Sequence, residues 1–120
     1  MKSFLPLSII TFIFAISSSL PVRAQEIVLG QYASLTGSEA TFGINSSNGV
    51  ALALDEVNKE GVLGGRKIKI ITEDDQSKPG QPSAAVKKLI SSDRVNAVIG
   101  EIASSRSLEA APICQEAKVP

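Results

Sequence analysis

The stretch Val95-Asn-Ala-Val-Ile-Gly-Glu-Ile-Ala-Ser-Ser-Arg-Ser107 decides the fold. Its first half is a short apolar run closed by Gly100, which reads as a buried strand from Val95 to Gly100. Its second half is small and hydroxyl-rich, with Ser104, Ser105 and Ser107, and leads into Leu108-Glu109-Ala110-Ala111. Serines followed by good helix formers mark a helix start near Ser104. A strand that hands over to a helix in this way builds an anion site. The first helical amides lack internal partners, and the helix dipole puts partial positive charge there. Two readings stay open for the serines: caps of the helix, or hydroxyl donors to a bound carboxylate or phosphate.

Working outward, the same hand-over occurs twice more. Ile27 to Ala33 reads as a strand, followed by a small polar loop, Ser34 to Ala40. A helix is expected from about Phe42 to Glu60, with Ile44, Val50, Ala51, Leu54 and Val57 at helical spacing. Gly49 lies inside it, where close packing on the sheet would justify a glycine; Gly61 ends it. Gly61 to Arg66 is a glycine-rich turn, Lys67 to Thr72 a second strand, and Gln76 to Pro82 a loop. Ser83 to Ser91 reads as a helix with Ala85, Val86, Leu89 and Ile90 on one face. Pro112 is expected to bend or shorten the third helix.

Alternating strands and helices give a parallel sheet with helices on both faces. Ligands bind such sheets beyond the carboxyl ends of the strands, where strand order reverses. Three loops reach that edge: Ser34 to Thr41, Glu73 to Pro79, and Glu101 to Ser107.

The chain of 120 residues suits one domain or a piece of one. Residues 1–24 read as an export signal: Met1-Lys2-Ser3, an apolar run from Phe4 to Leu20, then Val22 and Ala24 framing cleavage after Ala24. The run is too short and serine-rich for a comfortable membrane span. Setting aside Lys2 and Arg23 leaves ten of the twelve basic side chains against twelve acidic ones. That balance, with no basic cluster among aromatics, gives nucleic acid no footing. There is one cysteine, Cys114, and no histidine. An exported chain with one cysteine has no internal disulfide, and lack of histidine removes the commonest general base and metal ligand.

Several constellations admit two readings. Glu73-Asp74-Asp75 at a strand end suits a hard cation or a ribose, or simply caps the next loop. No Gly-x-Gly-x-x-Gly or Gly-Lys-Ser/Thr follows the first strand, so no nucleotide fingerprint is present. Cys114 fits a small core residue. Phe42 lies at a helix start beside the ligand edge, where it serves either local packing or a ligand.

Leu35-Thr36-Gly37, Ala40, Phe42-Gly43, Gly49, Asn58, Gly61 to Arg66, Ile68, Asp74-Asp75, Ile99-Gly100 and Ala103-Ser104-Ser105 occur in an order and spacing that resembles one family. It is similar to the periplasmic branched-chain amino acid binding proteins that feed bacterial ABC importers, over essentially all of Ile27 to Pro120. The resemblance implies an α/β fold: a parallel doubly wound sheet, the first part of lobe 1 of a two-lobe type I periplasmic binding protein. Residues 25–120 would be a partial N-terminal lobe. It implies capture of an amino acid by closure of two lobes, without chemistry, cofactor or metal. By the resemblance, Ser104 binds the ligand's α-carboxylate, with Ala103, Ser105 and local amides beside it, and Phe42 packs on the ligand. Some relatives carry a disulfide whose positions correspond here to Ser77 and Ala103, both lacking cysteine.

The partners implied are an amino acid and the membrane permease of an importer, with no nucleic acid. The protein would sit in the periplasm, free of the membrane once its signal is removed. The rest of the trap, including the acid that grips the ammonium, would lie beyond Pro120, so the chain reads as a fragment or truncated product. Two alternatives are a sensor domain of the same fold, and a secreted nucleotide-dependent α/β enzyme using Asp74 or Asp75.

Overall fold

The computed structural model describes residues 25–120 except Val62. The expected export signal, 1–24, lies outside the described residues. The order is β1 (Ile27–Ala33), α1 (Ala40–Glu60), β2 (Ile68–Asp74), α2 (Gln81–Ser91), β3 (Ala97–Ile99), α3 (Ser104–Ala117). The strands pair in parallel in the order β2-β1-β3. β1 is central, with Ile27 opposite Ile68 on one side and Leu29 opposite Ala97 on the other.

This order fixes the layers. The chain crosses from β1 to β2 in one direction and from β2 over β1 to β3 in the other. Right-handed crossovers therefore put α1 on one face and α2 on the opposite face. Val28, Tyr32 and Ile71 join the α2–α3 side, where Val86 and Leu89 are fully buried with Ala85, Val95 and Ala110. Leu29, Ile68 and Ile70 face α1 across an open groove of about 200 Å3, also lined by Val50, Leu54 and Val57. The closed core thus lies under α2 and α3. Gly30 lets Leu89 reach the sheet, since a Cβ there would stand 3.0 Å from Leu89 Cδ1.

Several boundaries and roles differ from the sequence reading. The stripe of α1 that faces the sheet includes Ser47, Val50, Leu54 and Val57. Ile44 is 45% exposed, whereas Ala51, though exposed, lines the groove with Ser47, Val50 and Leu54. Gly49 is exposed with nothing within 4 Å of an added Cβ, so sheet packing does not explain it. The close approach belongs to Gly43, where a Cβ would lie 1.9 Å from the Ser34 carbonyl oxygen. Helix α2 begins at Gln81 rather than Ser83, with Gly80 at its N-cap and Pro82 in its first turn, where a missing amide is harmless. Strand β3 shrinks to Ala97–Ile99.

Pro112 does not shorten α3, which runs on to Ala117. Leu108 and Pro112 are both exposed, so the carbonyl that loses its partner is open to water. Lys118 ends the helix in the left-handed region, and Val119 N donates back to Cys114 O at 3.0 Å. This turn returns the chain beside β3, where Val98 N donates to Pro120 O at 2.8 Å. Cys114 packs against the core as a small side chain, and burial pushes its thiol pKa up.

Two asparagines in the chain act as extra strand rungs. Asn58, at the end of α1, takes Ile68 N on Oδ1 and gives Nδ2 to Ile68 O. Asn96 likewise takes Val28 N on its side chain and donates its own amide to Val28 O. Asn58 thus ties the end of α1 to the start of β2, and Asn96 ties β3 to β1.

Candidate functional site

The strands β1 and β3 send their chains to opposite faces, α1 on one side and α3 on the other. Their carboxyl ends therefore form the switch point at which a crevice opens. Two recesses lie there. One, of about 150 Å3, is lined by Gln31, Tyr32, Ala33, Ser46, Gly100, Glu101 and Ile102. The other, of about 250 Å3, is lined by Glu39, Phe42, Glu101, Ile102 and Ala103. Of the four residues expected at the site, Phe42 and Ala103 line the larger cleft, one from the start of α1 and the other from the start of α3.

Phe42 is 65% exposed, so local core packing does not hold it. Ser104 and Ser105 occupy the first turn of α3, exposed and outside the lining of the cleft. The N-cap is Ala103, in extended backbone, and no side chain caps the helix. Of the two readings open for the serines, capping is ruled out for Ser104, which is already helical, one residue too late to cap. The first α3 amides to find a carbonyl are those of Arg106 and Ser107, both on Ala103 O at 3.0 and 3.2 Å. The amides of Ser104 and Ser105 precede them and have no acceptor within the helix.

The loops at this edge are tied by carboxylates. Asp74 Oδ1 accepts the amides of Leu35 (2.9 Å), Thr36 (3.2 Å) and Gln76 (2.8 Å), and its Oδ2 accepts the Thr36 hydroxyl at 2.6 Å. Asp75 is fully buried, accepting the Ser34 hydroxyl at 2.6 Å and the Ser77 amide at 2.9 Å on Oδ1. Ser77 in turn donates to Thr36 O and accepts the Glu39 amide. Ser77 is thus a hydrogen-bonding node. Glu73 pairs with Lys88. Within the chain, Asp74 and Asp75 are engaged in loop capping and Glu73 in an ion pair.

Asp74 gives a pH prediction. Desolvation raises its pKa, but the Thr36 hydroxyl and the amides of Gln76, Leu35 and Thr36 outweigh that and lower it. A carboxyl depressed on folding stabilises the fold above its unfolded pKa of about 4, and that contribution fades as pH falls through the folded value. Asp74→Asn should lower stability by about 1–2 kcal/mol at pH 7. It should also flatten the acid limb of stability below about pH 4. Urea melts across pH 2–7 would check it, and an acid limb unchanged in the variant would count against Asp74.

Arg106 is the residue that sequence reasoning missed. Its side chain is 11% exposed and lies among three carboxylates from three loops. It donates to Glu39 Oε2, while its Nε stands 3.8 Å from Asp75 Oδ1 and its Nη1 3.6 Å from Glu101 Oε2. The Glu101 side chain is itself 2% exposed, accepting Ser34 N at 3.2 Å and Ala103 N at 2.7 Å. The Arg106 hydrogen bond holds the Glu39 carboxyl below its usual range. A signal was present in the sequence: a cation in the first turn sits at the wrong end of the helix dipole and calls for acids nearby. Beneath the cluster, Tyr32 is buried and burial raises its phenol pKa, with the Ser107 hydroxyl pulling the other way. A Cβ at Gly100 would stand 2.1 Å from the Tyr32 ring, so only glycine lets β3 pass there.

The chain belongs to the family described as periplasmic binding protein, which matches residues 26–120. The Leu/Ile/Val-binding protein BraC3 of Rhizobium johnstonii is 31% identical over 96 residues, 80% of this chain and 26% of that protein. Among solved structures, the branched-chain amino acid transporter substrate binding protein LivJ of Streptococcus pneumoniae, in complex with isoleucine, superposes with a TM-score of 0.77. It is 28% identical and is covered over 28% of its length by 80% of this chain. The leucine binding protein LivK of Thermotoga maritima gives 0.73 at 32% identity, over 78% of this chain and 26% of that one. The chain thus spans about a quarter of the length of its relatives. Among the described residues, no helix is long and apolar enough to cross a membrane.

Proposed function

We propose that this chain forms the ligand-binding edge of the first lobe of a solute receptor for branched-chain or related amino acids, serving an ABC importer. Residues 1–24 act as its export signal and residues 25–120 as part of the N-terminal lobe, working in the periplasm. Capture proceeds without chemistry: the start of α3 holds the ligand's α-carboxylate, Phe42 covers its apolar part, and a second lobe closes over both. A membrane permease then receives the ligand. The observation that carries this reading is the cleft at the starts of α1 and α3, lined by both Phe42 and Ala103. The names of BraC3, LivJ and LivK support the ligand class.

Ser104 supplies the test. A hydroxyl bonded to a carboxylate contributes about 1.5–3 kcal/mol, or roughly ten- to hundred-fold in affinity. Ser104→Ala in the full-length protein, second lobe included, should weaken isoleucine binding by that order. Because Ser104 is exposed and does not cap α3, the melting temperature of the unliganded protein should stay nearly unchanged. Titration calorimetry and thermal melts read both. Unchanged affinity for isoleucine, leucine and valine would remove Ser104 from the site.

A further inference from the structure

Helices α1 and α3 lie on opposite faces of the sheet, yet their first turns are joined over its edge. Glu39 is the N-cap residue of α1, and its carbonyl accepts the amides of Phe42 at 3.0 Å and Gly43 at 3.2 Å. Its side chain makes no cap bond to its own helix. It reaches instead to Arg106, the third residue of α3. Arg106 is fixed at its own end by Asp75 and Glu101, the second of which also holds the Ala103 amide. Glu39 and Ala103 line the same cleft as Phe42.

We infer that the Glu39–Arg106 pair is a positioning device that sets the gap between the two helix starts, and with it the place of Phe42 relative to Ala103 in the cleft they both line. What it positions rests on the receptor reading above; the tie itself does not. A planar guanidinium suits this work, since its donors leave in fixed directions and can serve several carboxylates at once. The Asp75 and Glu101 contacts anchor the cation, so Glu39 is the arm that transmits its position to α1. The Glu39 side chain is 42% exposed, so its removal spares the core.

The test uses the full chain with Glu39→Ala, Phe42→Ala and the double variant. Hydrogen exchange on the unliganded protein comes first. In Glu39→Ala the amides of residues 42–43 should exchange about three- to tenfold faster, the range for a half-exposed charged contact. Those around Val86 and Leu89 should not change. Unaltered exchange at the α1 start would overturn the inference whatever the protein binds.

Isoleucine titration comes second. Glu39→Ala should weaken binding about three- to tenfold, and the double variant should bind no more weakly than Phe42→Ala within about twofold. Fold-losses that multiply would mean that Glu39 does not act through Phe42, and would overturn the positioning role. A full-length protein, second lobe included, that binds none of isoleucine, leucine and valine would instead bring down the receptor reading, and the exchange result would then decide the tie by itself.

Discussion

Arg106→Ala is expected to lower folding stability by about 3–5 kcal/mol, the scale for removing one partner of a buried ion pair. The reason lies less in the lost attraction than in what stays behind. Asp75 is fully buried and the Glu101 side chain is 2% exposed. Without the guanidinium, two buried carboxylates face each other with only amides and one hydroxyl to hold them. Asp75 Oδ2 already has no hydrogen-bond partner among the described residues, so that oxygen gains nothing by relaxing. Arg106→Lys should lose less, since it keeps the charge but not the fork. Urea melts of the full chain would measure both, and a loss below about 1 kcal/mol for Arg106→Ala would place the cluster among exposed pairs.

The contrast between Arg106 and the four residues expected at the site shows what a sequence yields here and what it withholds. Strand β1 has the bounds the apolar run from Ile27 to Ala33 indicates, and the order of six elements follows from apolar periodicity together with the serine, glycine and polar-loop boundaries. That order, with right-handed crossovers, already locates the crevice at the ends of β1 and β3. Phe42 and Ala103 then fall on it. Neighbours distant in the chain were harder to read. Glu39, Asp75, Glu101 and Arg106 are separated by up to 67 positions, and no local pattern brings them together. The same limit applies to the covering of α1. Its helical spacing admits a stripe through Ile44 or one through Gly43, one residue apart. Only the approach of Ser34 selects the second.

Gly43→Ala is accordingly expected to lower stability by about 3 kcal/mol or more, at or beyond the usual range for overpacking. The added Cβ would lie 1.9 Å from Ser34 O and 2.5 Å from Ser34 C. These are backbone atoms, so no rotamer change relieves the clash. Ser34 cannot retreat easily either, since it is fully buried, its hydroxyl held by Asp75 and its amide by Glu101. Helix α1 must therefore move off the end of β1, carrying Phe42 away from the cleft. Binding should weaken along with stability. Gly49→Ala, in the same helix, serves as the control. With nothing within 4 Å, it should instead stabilise by about 0.5–1 kcal/mol, the ordinary gain of alanine over glycine in a helix interior. Thermal melts of the two variants side by side decide the point: opposite signs locate the helix–sheet contact at Gly43, whereas equal shifts would mean that α1 does not rest on Ser34.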